Sequence, residues 1–151
     1  MGKSIVFVNQ KGGVGKTTSA INIGAYIALA GKKVLLVDFD SQGNMSSGVG
    51  ITKEKPTIYE LLAGMVSAEK AVKHTPVENL DAISASIDLS GAAIELVDQE
   101  NREYYLKEAL APFLNLTIDP QKASTPSSFF SATALAYSIS ESTKERIIVV
   151  Q

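Results

Sequence analysis

The chain has 151 residues, 45% of them hydrophobic and 20% charged, which suits one domain with a real core and excludes whole-chain disorder or coiled coil. A formal charge of −2 announces no nucleic-acid or acidic-lipid partner, so any such site has to be local. The absence of cysteine excludes a disulfide framework, a thiolate nucleophile and Cys-ligated zinc or iron–sulfur chemistry, and it fits a reducing cytoplasm.

The first residues lack the long apolar run of a secretory signal. No uncharged stretch offers the roughly 20 apolar residues that a bilayer span needs. Ile5-Val6-Phe7-Val8 and Val34-Leu35-Leu36-Val37 are unbroken apolar runs, suited to strands covered on both faces of a parallel sheet. Between them Lys16 to Ala30 is almost wholly apolar except Ser19, Asn22 and Tyr26, whose spacing puts them on one helical face, and Gly31 stops that helix. Strand, glycine loop, helix and strand make one right-handed βαβ unit, which predicts an α/β fold with a doubly wound parallel sheet.

Thr57 with Glu60 forms a capping box that opens a short helix through Leu62, and Ser67 to Lys73 reads as another. Asn79 to Ala85 is a third strand. Arg102 to Phe113 is a longer helix, with Leu106, Leu110 and Phe113 on one face, Glu103 paired with Lys107, and Pro112 at its end. A strand over Leu114 to Ile118 should follow. Asp119 to Thr143 then holds ten Ser or Thr in 25 residues, a compositional break that leaves residues 120–143 without a clear element. Ile147 to Val150 is a last buried strand; left uncovered at the edge of the sheet it would invite self-association. A single incomplete domain over residues 1–151 is the expected organisation.

The informative segment is Asn9 to Thr18, NQKGGVGKTT, between a buried strand and a helix. Gly12, Gly13 and Gly15 let the backbone turn so that its N–H groups converge on phosphate oxygens, with the helix N-terminus adding its positive dipole end. Val14 lies between them. Lys16 is the type that reaches β- and γ-phosphates, and the Thr17 hydroxyl is the type that ligates Mg²⁺, with Thr18 closing the loop. The next strand ends in Val37-Asp38-Phe39-Asp40-Ser41-Gln42-Gly43-Asn44, which sets two carboxylates at the edge where ligands of parallel sheets bind. One suits a hydrated Mg²⁺ and the other the attacking water.

The loop lacks the usual first glycine, which is Gln10, and carries Lys11 in front of Gly12 instead. It resembles the deviant phosphate loop of the ParA/MinD ATPases, and the resemblance implies that Lys11 reaches the nucleotide of a partner subunit in an ATP-sandwich dimer. DFDSQGN resembles the family's DxDPQGN, with Ser41 in place of proline, and this implies that Asp40 positions the hydrolytic water while Asp38 lies in the magnesium neighbourhood. Glu78-Asn79-Leu80-Asp81 and Leu89 to Leu96 are similar to further ParA segments, so the match covers about Met1 to Phe113. Asp119, ending LNLTIDP, is the candidate for the family's second metal-side acid, and Glu145 to Gln151 resembles its following strand. The family implies a P-loop ATPase that takes Mg·ATP to ADP and phosphate in chromosome or plasmid partitioning, with ATP-dependent homodimerisation, nonspecific DNA binding and a ParB-type activator. Its members run longer than this chain, so the competing expectation is a truncated nucleotide-binding remnant or interaction module without turnover. A MinD-like membrane cycle would need a terminal amphipathic helix, which is not seen. Residues 78–119 carry nine acids against two bases, so DNA binding is expected to be lost here. His74 and the lysine pairs Lys32/Lys33 and Lys53/Lys55 read as solvated surface.

Overall fold

The computed structural model describes residues 3–91, 105–114 and 146–150. Among the described residues five strands form one sheet: β1 (Lys3–Val6), β2 (Lys33–Val37), β3 (Val72–His74), β4 (Leu80–Ile83) and β5 (Arg146–Val150), in the order β1-β5-β2-β4-β3. All neighbours are parallel except β3, which runs antiparallel to β4 at one edge. The helices are α1 (Lys16–Leu29), α2 (Asn44–Gly48), α3 (Ile58–Leu62), α4 (Ala68–Ala71) and α5 (Tyr105–Leu114).

The sheet is covered on both faces, as its unbroken apolar strands require. Val34, Leu36, Leu80 and Ala82 pack with Ala20 and Ala28 of α1 and Met45 of α2 on one face. Leu35, Val37, Ile83 and Val150 face α3, α4 and α5 on the other. Alternation along β2 thus feeds two cores from one strand. Helix α1 approaches β2 closely because Gly24 has no side chain: a Cβ there would lie 2.7 Å from Leu36 Cδ2. The helix ends as its sequence predicts, with Lys32 N–H donating to the Ile27 carbonyl at 3.3 Å and Gly31 N–H to Ala28 at 2.9 Å, the paired bonds of a glycine stop. Its outer face differs in detail from the expected one, since Ser19 is half-buried and Thr18, Asn22, Tyr26 and Leu29 are exposed.

The Thr57/Glu60 capping box forms as expected. Elsewhere the elements shift. The predicted helix over Ser67 to Lys73 stops at Ala71, because Val72 turns extended and pairs with Ile83, giving Val72 and Lys73 to β3. Helix α5 continues two residues past Pro112, to Leu114, so Leu114 is helical and not the start of a strand. The rest of that strand, through Ile118, lies outside the described residues, as do Arg102, Glu103, Asp119 and the 120–143 segment. The largest correction concerns β5. It is no edge strand: it sits between β1 and β2, bonded to both, with Val6, Val150 and Val37 in register.

Candidate functional site

That register fixes the site. Val6 and Val37 both pair with Val150, so β1 and β2 end at the same level of one sheet edge, separated by two strand spacings, or about 10 Å. From that edge the chain enters two loops, Phe7–Gly15 after β1 and Asp38–Gly43 after β2, and each leads into a helix.

The first loop is open. Val8 through Gly15 are exposed, Lys16 and Thr17 are half-buried and Thr18 is exposed. Gly13 and Gly15 hold φ of +71° and +87°, the left-handed region that L side chains avoid, and a Cβ on either, or on Gly12, would meet no protein atom within 4 Å. The glycines are therefore set by backbone shape and by empty space in front of the loop. Lys11 N–H donates to Asn9 Oδ1 at 2.9 Å and the Lys16 ammonium to the Lys11 carbonyl at 3.2 Å, which folds Lys16 back over the loop. Gly15 caps α1 without a side-chain bond and no acid lies in the first turn, so the positive end of the helix dipole favours an anion there. A phosphate chain fits this donor set.

The second loop is packed. Asp38 is fully buried: its Oδ2 accepts from Ser46 N–H at 2.8 Å and from Ser46 Oγ–H at 2.6 Å, and its Oδ1 accepts from Asp40 N–H at 3.2 Å. Burial pushes its carboxyl above the usual range, against the pull of the Ser46 and Asp40 donors, and the Asp40 charge adds to the rise. Asp40 is half-buried and accepts from Gln42 N–H through Oδ1 at 3.0 Å; its Oδ2 takes no hydrogen bond among the described residues. Lys53 ties the turn down by donating to the Gln42 carbonyl at 2.8 Å.

The structure thus brings Lys11 through Thr18, Asp38 and Asp40 to one edge, while Asp119 lies outside the described residues. Among the described residues no group of three or more His, Asp or Glu is placed to hold a metal by itself. The chemistry of Thr17 beside a phosphate cradle fits a magnesium ion held chiefly by a nucleotide. No described helix is long and apolar enough to cross a membrane. His74 sits at the far sheet edge, where its Nδ1 lies 2.7 Å from Asp81 Oδ1 across the β3–β4 pair, away from these loops. Sequence reasoning missed Ser46 and Lys53. No local pattern marks them, since their partners lie eight and eleven residues away.

Comparisons with known proteins bear on this geometry. A family model described as AAA domain matches residues 2–116. The chromosome-partitioning ATPase Soj of Treponema pallidum is 68% identical over 111 residues, covering 74% of this chain and 44% of that protein. The sporulation initiation inhibitor protein Soj of Bacillus subtilis is 53% identical over 112 residues, covering 73% and 44%. Among solved structures, cobyrinic acid a,c-diamide synthase from Mycobacterium smegmatis, with bound ADP and magnesium, matches 99% of this chain and 50% of its own at a TM-score of 0.73 and 32% identity. An ATP complex of a Cyanothece McdA variant matches 98% and 46% at a TM-score of 0.73 and 25% identity. The chain spans less than half the length of these two Soj relatives.

Proposed function

The chain belongs to the AAA-domain family in its Soj/ParA branch, P-loop ATPases of the ParA/MinD kind, and on that premise we propose that it binds Mg·ATP in the Lys11–Thr18 loop and hydrolyses it to ADP and phosphate. The observation that carries this is the open glycine loop at the start of α1, with Lys16 over it and Asp40 on the neighbouring loop.

The amides from Gly12 to Thr18 and the Lys16 ammonium hold the β- and γ-phosphates, and Lys16 exchanges the Lys11 carbonyl for phosphate oxygen. Thr17 is the residue to hold magnesium, which when bound neutralises charge on the β- and γ-oxygens. Asp40, through the Oδ2 that takes no hydrogen bond among the described residues, orients the attacking water and receives its proton. The water oxygen bonds to the γ-phosphorus as the link from that phosphorus to the β,γ-bridging oxygen breaks, and ADP leaves. Lys11, exposed at the front of the loop, supplies its charge to the nucleotide of a second copy. Asp119 is assigned as the further metal-side acid. The name of the Treponema pallidum relative supports a chromosome-partitioning role, and we further propose a cytoplasmic location, an ATP-dependent homodimer and a ParB-type activator. Nonspecific DNA binding is not assigned to this chain, given the acidic stretch over residues 78–119.

The test is nucleotide titration of the parent and of Lys16→Ala. A charge-assisted contact contributes about 1.5–3 kcal/mol, so affinity should fall roughly tenfold or more. Unchanged affinity in a folded Lys16→Ala chain would overturn the assignment. A second reading is nucleotide binding without turnover; phosphate release from Mg·ATP decides between them.

A further inference from the structure

We propose that Asp38 is a positioning residue and not a magnesium neighbour, and that Ser46 makes it so by holding its Oδ2 inward, so that Oδ1 anchors the backbone of the loop that carries Asp40. The proposal deepens the nucleotide reading and rests on it for one of its two measurements.

Three donors converge on one buried carboxylate, and they come from both ends of the loop: Asp40 N–H from its start, Ser46 N–H and Oγ–H from α2. A carboxylate is held in an apolar interior only when such donors replace water, so these bonds are the condition of its burial. The Ser46 hydroxyl has a single hydrogen, and donating it to Asp38 leaves its lone pairs for Ala85 N–H, which donates at 3.1 Å. One side chain therefore joins the end of β2, the helix α2 and the segment just past β4. The loop between is pressed onto the same place. Gly43 N–H donates to the Asp40 carbonyl at 2.8 Å, Gly43 adopts φ +61°, and a Cβ there would lie 3.0 Å from the Ala85 carbonyl oxygen.

The two acids consequently differ in what they have left to offer. Both Asp38 oxygens accept from protein donors and the side chain is fully buried, so reaching a cation would require the joint that holds α2 to move. Asp40 keeps one oxygen without a hydrogen bond among the described residues, on a backbone whose N–H is fixed by Asp38. Asp38 acts through Asp40 by setting where that carboxylate stands.

The test uses the full chain with Asp38→Asn, Ser46→Ala and Ser46→Thr, the last keeping the hydroxyl. Amide hydrogen exchange without nucleotide should speed up about tenfold or more at Asp40, Ser46 and Ala85 in Asp38→Asn and Ser46→Ala, because a lost buried bond to a charged group is worth at least that factor. Ser46→Thr should restore the parent rates. The amides of Leu80 to Ile83 report whether a variant has unfolded as a whole, and Asp38→Asn gives the reading should Ser46→Ala do so. ATP affinity is then measured with and without Mg²⁺, and the gain from Mg²⁺ should be the same in Asp38→Asn as in the parent. Unchanged exchange at those three amides overturns the proposal, and so does an Asp38→Asn chain that loses the Mg²⁺ gain. A parent chain that binds no ATP defeats the nucleotide reading alone, and the exchange rates still decide the role of Asp38 and Ser46.

Discussion

Two loops leave the same sheet edge and are built on opposite principles. The loop after β1 is exposed from Val8 to Gly15, takes its shape from two left-handed glycines and the start of α1, and has open space where side chains would stand. The loop after β2 buries Asp38, Gly43, Met45 and Ser46, and is held by side-chain bonds that reach to Ala85. A surface shaped for a polyanion presents backbone amides on an open loop and a lysine whose bond to the Lys11 carbonyl can be exchanged for a ligand oxygen. A surface that aims one carboxylate does the reverse and spends everything else on rigidity. Substitutions in the first loop should therefore change binding and chemistry with little change in stability, and those in the second should change stability and alignment.

The largest effects expected are on turnover. Asp40→Ala should abolish phosphate release while leaving ATP affinity close to the parent value, since the role proposed for Asp40 is on the water and not on the phosphates. Lys11→Ala should lower turnover by up to about 10³-fold if its charge works across the dimer as an arginine finger does. The check is to mix Lys11→Ala subunits with excess Asp40→Ala subunits and follow phosphate release. A dilute Lys11→Ala monomer that turns over at the parent rate would break the cross-subunit role.

Next in size is a stability effect confined to the second loop. Asp38→Ala strands the Ser46 and Asp40 donors in a buried place, and unsatisfied buried donors cost about 1–3 kcal/mol each, so a loss of about 3 kcal/mol is expected in urea unfolding. Lys16→Ala, on the open loop, should stay within about 0.5 kcal/mol of the parent. Equal losses from the two substitutions would erase the contrast between the loops.

The same contrast explains what could be read from sequence. The phosphate loop is a local device: NQKGGVGKTT carries its glycines, its lysines and its hydroxyl within ten residues, so spacing alone exposes it. The βαβ unit was legible for the same reason, down to the Gly31 stop, although its first strand is Lys3–Val6 and not Ile5 to Val8, which leaves Phe7 and the exposed Val8 to the loop. The packed loop is not local. Asp38 and Asp40 are visible as acids at a strand end, but the difference between them comes from Ser46 and Ala85, and the sequence does not say that these meet. The placement of β5 was illegible for a related cause. A parallel strand can enter a sheet anywhere its partners leave room, and Ile147 to Val150 look equally apolar in the middle or at the edge. The short helix ending at Ala71 shows tertiary pairing overriding local pattern, as Ile83 draws Val72 into β3.

The smallest effect concerns the support behind the packed loop and separates it again from the open one. Helix α3 docks on the end of β4, where Ile58 N–H donates to the Ser84 carbonyl at 2.8 Å, one residue from the Ala85 joint. Its start is held by the Thr57/Glu60 box: the Thr57 hydroxyl and N–H donate to Glu60 Oε2 at 2.7 and 2.8 Å, and Lys55 lies 3.0 Å from Oε1. Burial alone would raise the Glu60 carboxyl, but the Thr57 donors and then Lys55 outweigh it and hold the group at about 2, below its ordinary 4.5. A carboxylate depressed on folding adds stability that is complete above the unfolded value and fades as pH falls toward the folded one. Thr57→Ala should thus cost about 1 kcal/mol at neutral pH, as losing a helix cap does. Because it removes one of the donors that depress Glu60, its cost should shrink as pH falls from 4.5 toward 2. Unfolding of parent and variant across that range measures the slope, and ATP affinity at neutral pH should not move, because the box touches nothing in the Lys11–Thr18 loop. A cost that grew toward acid would mean that Glu60 is not held by Thr57 in its charged form.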